Sequence, residues 1–92
     1  MKLVGREILE EFQLKHADAR GPIASWVAEV ESATWQTSHD IRARYASASF
    51  LADNVVIFNI KGNSYRLEAR IAYKTSIVVA VWAGMHADYS KR

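Results

Sequence analysis

The sequence of 92 residues predicts an α+β fold, with N-terminal helices packed on one face of a small antiparallel sheet. In the first half of the chain, hydrophobic residues recur at the three- and four-residue spacing of amphipathic helices. From Asn54 onward, β-branched and alternating segments separated by turn residues are typical of consecutive strands. The length suits a single domain over residues 1–92 with one modest core.

A short strand and a helical hairpin are predicted for the N-terminal third. Met1–Gly5 suits a strand, and the spacing of apolar residues predicts a helix over 6–18. Gly21 and Pro22 are expected to break this helix, and Pro22 then suits the first turn of a second helix over 22–33. The apolar faces of the two helices predict a seam between them.

A third helix is predicted within residues 34–45. Thr37 or Ser38 can cap its N-terminus, and Asp40 lies in the first turn, where the helix dipole stabilises an anion. The next segment, 46–54, is rich in small and polar residues and is expected to be a loop that leads to the sheet.

The C-terminal part of the chain predicts three strands, at residues 55–60, 65–73 and 77–84. Gly62 and Asn63 tolerate positive φ, so a hairpin turn is expected between the first two strands. The middle strand alternates strictly, which places its side chains on two faces. One face is expected to hold Tyr65, Leu67, Ala69 and Ile71, and the face opposite the core Arg66, Glu68 and Arg70.

Positive charge is concentrated in the C-terminal part of the chain. Residues 1–53 contain 6 Lys/Arg and 8 Asp/Glu, a net charge of −2, whereas residues 54–92 contain 6 Lys/Arg and 2 Asp/Glu, a net charge of +4. Such a bias favours an anionic partner, of which nucleic acid is the commonest. A solvated sheet face is an equally good interpretation of the charge alone.

Several classes of protein are disfavoured by what the sequence lacks. It has no cysteine for a disulfide or a thiolate metal site, no Gly-rich phosphate loop, and no His/Asp/Glu cluster with metal-ligand spacing. It has no apolar run long enough to cross a bilayer, and acidic residues follow the N-terminus too closely for a signal peptide. We therefore expect a cytoplasmic protein without a metal or another cofactor.

Two short segments carry a resemblance to a known family. "FNIKGNSYRL" runs from Phe58 to Leu67, and "GMHADY" follows from Gly84 to Tyr89. In this order and spacing they resemble the HigB-type toxins, which are RelE-like messenger-RNA interferases of bacterial toxin–antitoxin systems. The likeness extends over nearly the whole chain. Two positions depart from the family's usual pattern, which commonly has Thr at Met85 and Asp at Ser90.

The resemblance implies a RelE-like fold, in which helices pack against a small, strongly twisted antiparallel sheet. It also implies a ribonuclease that needs no metal and often acts on messenger RNA at the ribosome. The partner it implies is a HigA-like antitoxin with a helix-turn-helix DNA-binding domain, within a toxin–antitoxin complex of higher order.

Cleavage of RNA by its own 2′-hydroxyl requires a group that removes a proton, a group that donates one, and cations that stabilise the phosphorane. Arg66 suits two phosphate oxygens at once, although strand arginines are also commonly solvated. His86 is the proton-transfer candidate, the alternative being a structural role in its loop. Tyr89 can donate a phenolic proton, stack on a base, or simply close the sheet edge. Lys91 is the remaining catalytic candidate.

The other cations of the C-terminal part are interpreted as contacts to RNA phosphates: Lys61, Arg70, Lys74 and Arg92. His16 and His39 match no motif and are given no role, and Trp26, Trp35 and Trp82 are expected in the core or in a partner interface. The main alternative is a non-catalytic module that binds RNA, ribosomes or an antitoxin through the same basic face. Another is a protein-interaction domain whose basic face is solvated.

Overall fold

A computed structural model describes residues 1–89 of the chain. Its elements in chain order are β1 (Lys2–Val4), α1 (Arg6–Lys15), a 3-10 turn (Ala17–Ala19), α2 (Arg20–Ser32), α3 (Ser38–Arg44), β2 (Ser49–Phe50), a second 3-10 turn (Ala52–Asn54), β3 (Val55–Ile60), β4 (Tyr65–Ala72), β5 (Ile77–Met85) and α4 (His86–Tyr89). The strands form a five-stranded sheet in the spatial order β1-β5-β4-β3-β2. This architecture confirms the predicted α+β class and is consistent with a RelE-like fold.

The three predicted C-terminal strands form an antiparallel part of the sheet. β4 pairs with β3 on one side and with β5 on the other, because short turns between successive strands bring them together antiparallel. The hairpin turn between β3 and β4 is confirmed, with positive φ at Lys61 and Gly62 rather than at Asn63.

The sheet is mixed rather than wholly antiparallel, because β1 lies parallel to β5. Leu3 is opposite Val78, in a register that joins β1 to residues 77–79. Parallel pairing needs a long crossover connection, which the helices and strands between β1 and β5 provide. The apolar residues of β1 indicated a strand but carried no signal for its partner or its direction.

Gly21 and Pro22 do not break the first helix. α1 ends at Lys15, the chain turns at His16, and α2 already begins at Arg20. Gly21 and Pro22 therefore lie in the first turn of α2, where backbone N–H groups have no helical partner and a proline is tolerated. The first-turn position of Pro22 is confirmed, whereas the predicted position of the break is wrong.

The third helix begins as predicted. Asp40 in its first turn accepts hydrogen bonds from the backbone N–H groups of Gln36 and Thr37 at 2.9 and 3.3 Å. These bonds satisfy donors that would otherwise be unpaired at the N-terminus of α3. The segment after α3 is not wholly a loop, since Ser49–Phe50 forms β2 and pairs antiparallel with β3.

The core lies between the helices and one face of the sheet, which we call the core face. Leu9 of α1 and Ile23 and Trp26 of α2 are at most 2% exposed and belong to the same cluster of buried side chains as the strands. Trp35 also belongs to this cluster. On β4 the core face consists of Tyr65, Leu67, Ala69 and Ile71, as the alternation predicted.

Candidate functional site

β4 has a second face, whose side chains do not pack in the core against the helices. We call this surface the open face and define it by Arg66, Glu68 and Arg70 of β4 with Trp82 of β5. Arg66 is opposite Gly84 of β5, and Glu68 is opposite Trp82. Glu68 is only 8% exposed, whereas Arg70 is exposed. The open face therefore has a sheltered middle and an exposed end.

Arg66 is the centre of the candidate site. One of its terminal nitrogens lies 2.8 Å from Nε2 of His86, and its Cζ atom lies 5.1 Å from the centre of the Tyr89 ring. A guanidinium has only donors, so Nε2 accepts this hydrogen bond and the neutral imidazole carries its proton on Nδ1. The Nε atom of Arg66 is buried and has no hydrogen-bond partner within the described residues. The structure thus brings three of the predicted catalytic residues together.

The one-turn helix α4 places His86 and Tyr89 against Arg66. The backbone N–H of His86 donates to the carbonyl of Ser64 at 3.1 Å, which ties the start of α4 to the turn before β4. His86 and Tyr89 are three residues apart and so lie on the same side of this turn. Met85, at the position where the resemblance implied Thr, is 44% exposed. The hydrogen bond from Arg66 orients the imidazole of His86.

Trp82 also lies at this site, which sequence reasoning did not predict. Its ring centre is 5.6 Å from that of Tyr89, in an edge-to-face arrangement. The indole crosses Gly84 so closely that a Cβ atom at position 84 would come within 2.5 Å of it. The glycine therefore makes room for the tryptophan beside Tyr89. The sequence signal that could have indicated this contact is a glycine two residues after a tryptophan on one strand, namely Gly84 after Trp82.

A β-bulge in β5 explains why Trp82 is not in the core. The register between β4 and β5 shifts between Glu68 and Ala69, whose partners are Trp82 and Ala80, so Val81 is the extra residue. Ala80 belongs to the core, and strict alternation would have placed Trp82 there as well. Beyond the bulge, side chains of β5 lie on the face opposite to the one that alternation predicts.

The other predicted phosphate contacts lie away from Arg66. Arg70 shares the open face but is opposite Val79, toward the far end of β4. Lys74 is in the turn that follows β4. The structure does not bring either cation to His86. The remaining predicted site residues, Lys91 and Arg92, lie outside the described residues, as does Ser90.

Lys61 belongs to a separate cluster at the border of the core. Its ammonium lies 2.6 Å from the carboxylate of Asp18, which also accepts a hydrogen bond from the hydroxyl of Tyr65. The bond from Lys61, and after it the bond from Tyr65, hold the pKa of Asp18 below its ordinary value of 3.8. The same bond to Asp18 raises the pKa of Tyr65. Phe12 and His16 pack on the Tyr65 ring with centres 5.1 Å away, so Lys61 is held on the helical side of the sheet.

Within residues 1–89, no group of three or more His, Asp or Glu side chains is placed to hold a metal ion. In the same part of the chain, no helix is long and apolar enough to span a membrane. At the open face, the guanidinium of Arg66 can bind an oxyanion, and the imidazole of His86 and the phenol of Tyr89 can exchange protons.

A helical layer on one face of a small five-stranded sheet is consistent with a RelE-like fold. The chain belongs to the HigB toxin family, whose model, described as the RelE-like toxic component of a toxin–antitoxin system, matches residues 19–92. No curated protein matched the chain. The resemblance noted in the sequence is therefore confirmed: the protein is a toxin of a toxin–antitoxin system, and its family implies an antitoxin partner.

Proposed function

We propose that this toxin is an endoribonuclease that cleaves messenger RNA by attack of the 2′-hydroxyl on the scissile phosphate. The observation that carries the proposal is the convergence of three side chains, with Arg66 2.8 Å from the imidazole of His86 and 5.1 Å from the ring of Tyr89. Together they supply the anion-binding group and the two proton-transfer groups that the reaction requires. Membership of the HigB family supports the same activity.

Arg66 binds the scissile phosphate in this mechanism. Its planar fork of N–H donors matches two phosphate oxygens, and its permanent charge stabilises the phosphorane as negative charge develops. The buried Nε–H group has no partner within the described residues, and a phosphate oxygen would satisfy it once the side chain of Arg66 moves to expose it.

His86 removes the proton from the 2′-hydroxyl, and Tyr89 donates a proton to the leaving 5′-oxygen. While Arg66 donates to it, Nε2 of His86 carries no proton, which is the state that a general base needs. When a phosphate oxygen takes up the N–H groups of Arg66, the lone pair of Nε2 becomes available to the hydroxyl. The 2′-oxygen then bonds to phosphorus, the bond to the 5′-oxygen breaks, and a 2′,3′-cyclic phosphate remains.

Other cations of the C-terminal part hold the RNA on either side of the scissile phosphate in this proposal. Arg70 continues the open face along β4, and Lys74 follows in the next turn. Lys91 is assigned as a further catalytic cation and Arg92 as a phosphate contact. Because residues 54–92 carry a net charge of +4, RNA binding should weaken with salt, with a log–log slope of about 0.7 per phosphate contacted. Lys61 can contribute to RNA binding only if its ion pair with Asp18 breaks.

We further propose that cleavage occurs on ribosome-bound messenger RNA in the cytoplasm, and that the antitoxin is a HigA-like helix-turn-helix protein in a complex of higher order. Expression of the toxin alone is expected to arrest growth, and co-expression of the protein encoded by the adjacent gene is expected to relieve the arrest. Normal growth at high soluble expression would contradict an active toxin.

Single-turnover cleavage of an RNA, on ribosomes if free RNA is not cut, tests the assignment of the site. Arg66→Ala is expected to lower the cleavage rate by about 10²–10³-fold, because a preorganised charge is lost. His86→Gln is expected to lose cleavage, because an amide can form hydrogen bonds but cannot exchange a proton near neutral pH. The control is His39→Gln, an exposed histidine of α3, which should cut at the parent rate.

A matched comparison is available on the same strand. Arg70→Ala should weaken RNA binding with little effect on the cleavage rate of bound RNA, and circular dichroism of each variant separates lost chemistry from lost fold. A folded Arg66→Ala variant that cuts at the parent rate would place the site elsewhere. A parent protein that binds RNA but never cuts it would favour the non-catalytic module.

A further inference from the structure

The outer edge of β5 is only partly covered by the described part of the chain. β1 pairs with this edge at residues 77–79, and no strand within residues 1–89 pairs with it from Val81 to Met85. An uncovered strand edge presents N–H and C=O groups that can pair with another strand. Val81 and Met85 are 39% and 44% exposed, so this stretch of the edge is also apolar.

A groove lies between this edge and α1, and we call it the edge groove. Two cavities of about 260 and 490 Å³ adjoin one another along β5 and share several lining residues, so they form one depression. The shared residues are Phe12, Lys15, Trp82 and Ala83. The first cavity reaches Ile8 of α1, and the second reaches Asp88 of α4. Val81 lines the first and Met85 lines the second.

The chemistry of the edge groove fits an extended peptide. Strand addition takes its affinity from main-chain hydrogen bonds along an edge and its specificity from pockets for alternate side chains, and the groove offers both. Its apolar contacts are spaced along the strand at Val81 and Met85. Its charged residues, Glu11, Lys15 and Asp88, include both signs, so the groove does not have the uniform positive field that a nucleic acid requires.

We propose that the edge groove binds an extended segment of the antitoxin, which adds to β5 as a further strand with apolar side chains at alternate positions. The family supplies the partner, because this chain is the toxic component of a toxin–antitoxin system. The proposal does not depend on nuclease activity. A strand added here lies about 4.8 Å from β5, beside the open face and next to α4 rather than over Arg66.

Calorimetric binding of toxin variants to the antitoxin tests this proposal, with the separately purified protein encoded by the adjacent gene as the probe. Val81→Glu places a charge on the apolar edge and is expected to weaken binding at least about tenfold, as for a residue at the centre of an interface. The matched control is Leu14→Glu on α1, because Leu14 is 87% exposed and does not line the edge groove. Its binding should equal that of the parent.

Amide hydrogen exchange of the parent protein provides a second readout that needs no variant. Amides within residues 81–85 are expected to become protected when the antitoxin binds, because an added strand takes up outward N–H groups. Binding with unchanged exchange at these residues, as for a docked helix, would overturn the proposal. So would parent-like affinity of a folded Val81→Glu variant, or sedimentation showing that a second copy of the toxin occupies the edge. Expression of Val81→Glu without the antitoxin provides the separation from the nuclease proposal. If the variant still arrests growth, the toxin is active, and the binding result then concerns the edge groove only.

Discussion

The two faces of β4 are stabilised in different ways. On the core face, Leu67 and Ile71 are 0% exposed and belong to a large apolar cluster with the helices. On the open face, Arg66 contacts His86 and Tyr89, which both belong to the one-turn helix α4. The first arrangement sums many weak apolar contacts, whereas the second depends on a few specific ones. Stability and activity should therefore respond to different substitutions, even on one strand.

The largest effect is expected in the core. Trp26 is 1% exposed and packs edge to face on Phe58 of β3, with ring centres 5.3 Å apart. Trp26→Ala is expected to lower the free energy of unfolding by about 3–5 kcal/mol, because both burial and aromatic contacts are lost. Urea denaturation followed by circular dichroism measures the change. A loss below about 1 kcal/mol would contradict a core position for this side chain.

The next largest effect is expected where Trp82 crosses Gly84. A Cβ atom there would lie 2.5 Å from the indole, so Gly84→Ala must displace the ring that packs on Tyr89. We expect a loss of about 1–3 kcal/mol in unfolding free energy, together with slower cleavage. Gly21→Ala is the control, because a Cβ atom at that position meets no atom within 4 Å. Equal stability of the two variants would show that the indole is not held over position 84.

A smaller effect, confined to the open face, is expected for Arg66→Lys. Lysine keeps the positive charge but lacks the planar fork that binds two phosphate oxygens. Cleavage should slow about tenfold, which corresponds to about 1.4 kcal/mol of activation free energy, while the free energy of unfolding should stay unchanged. Single-turnover rates beside those of Arg66→Ala measure the difference. If lysine and alanine are equally inactive, charge alone does not account for the role of this position.

The smallest effect is expected at Asp18, and it depends on pH. Because hydrogen bonds from Lys61 and then Tyr65 lower the pKa of Asp18 below 3.8, the carboxylate stabilises the fold above that pH. This contribution is lost as the pH falls through the lowered pKa. The parent should therefore melt at a higher temperature than Asp18→Asn at neutral pH, and the gap should close in acid. Thermal melting at both pH values measures it, and a gap that persists in acid would contradict the assignment.

The sequence predicted the part of the fold that depends on local pattern. Alternation along β4 reports which side chains face the helices, so Leu67 and Arg66 were placed on the correct faces, although Glu68 on the open face is buried as well. The partner of β1 could not be predicted, because pairing with a distant strand leaves no local pattern. The predicted break between the first two helices was placed wrongly at Gly21 and Pro22, because both residues break a helix interior but are tolerated in a first turn.

The candidate site was predicted in part. The motif selected Arg66 and His86, and the structure brings them within 2.8 Å of each other, although their roles stay predictions. Trp82 was not predicted at the site, because the bulge that places it on the open face is not visible in a single sequence. Lys61 was grouped with the RNA contacts because its partner Asp18 lies 43 residues away in the helical half. Such a distant ion pair is not visible in a single sequence.

The alternation of β5 beyond its extra residue makes the site depend on chain length as well as on residue identity. Deleting Val81 would restore strict alternation and keep Trp82 and Gly84 on the open face. Deleting Ala83, beyond the bulge, would also remove no side chain of the open face, yet the period of two would turn Gly84 toward the helices. The same deletion would carry His86 away from Arg66. This chain should therefore tolerate the exchange of many residues of β5 more readily than the loss of one residue beyond the bulge. An insertion or deletion here requires a second change in length to restore the site.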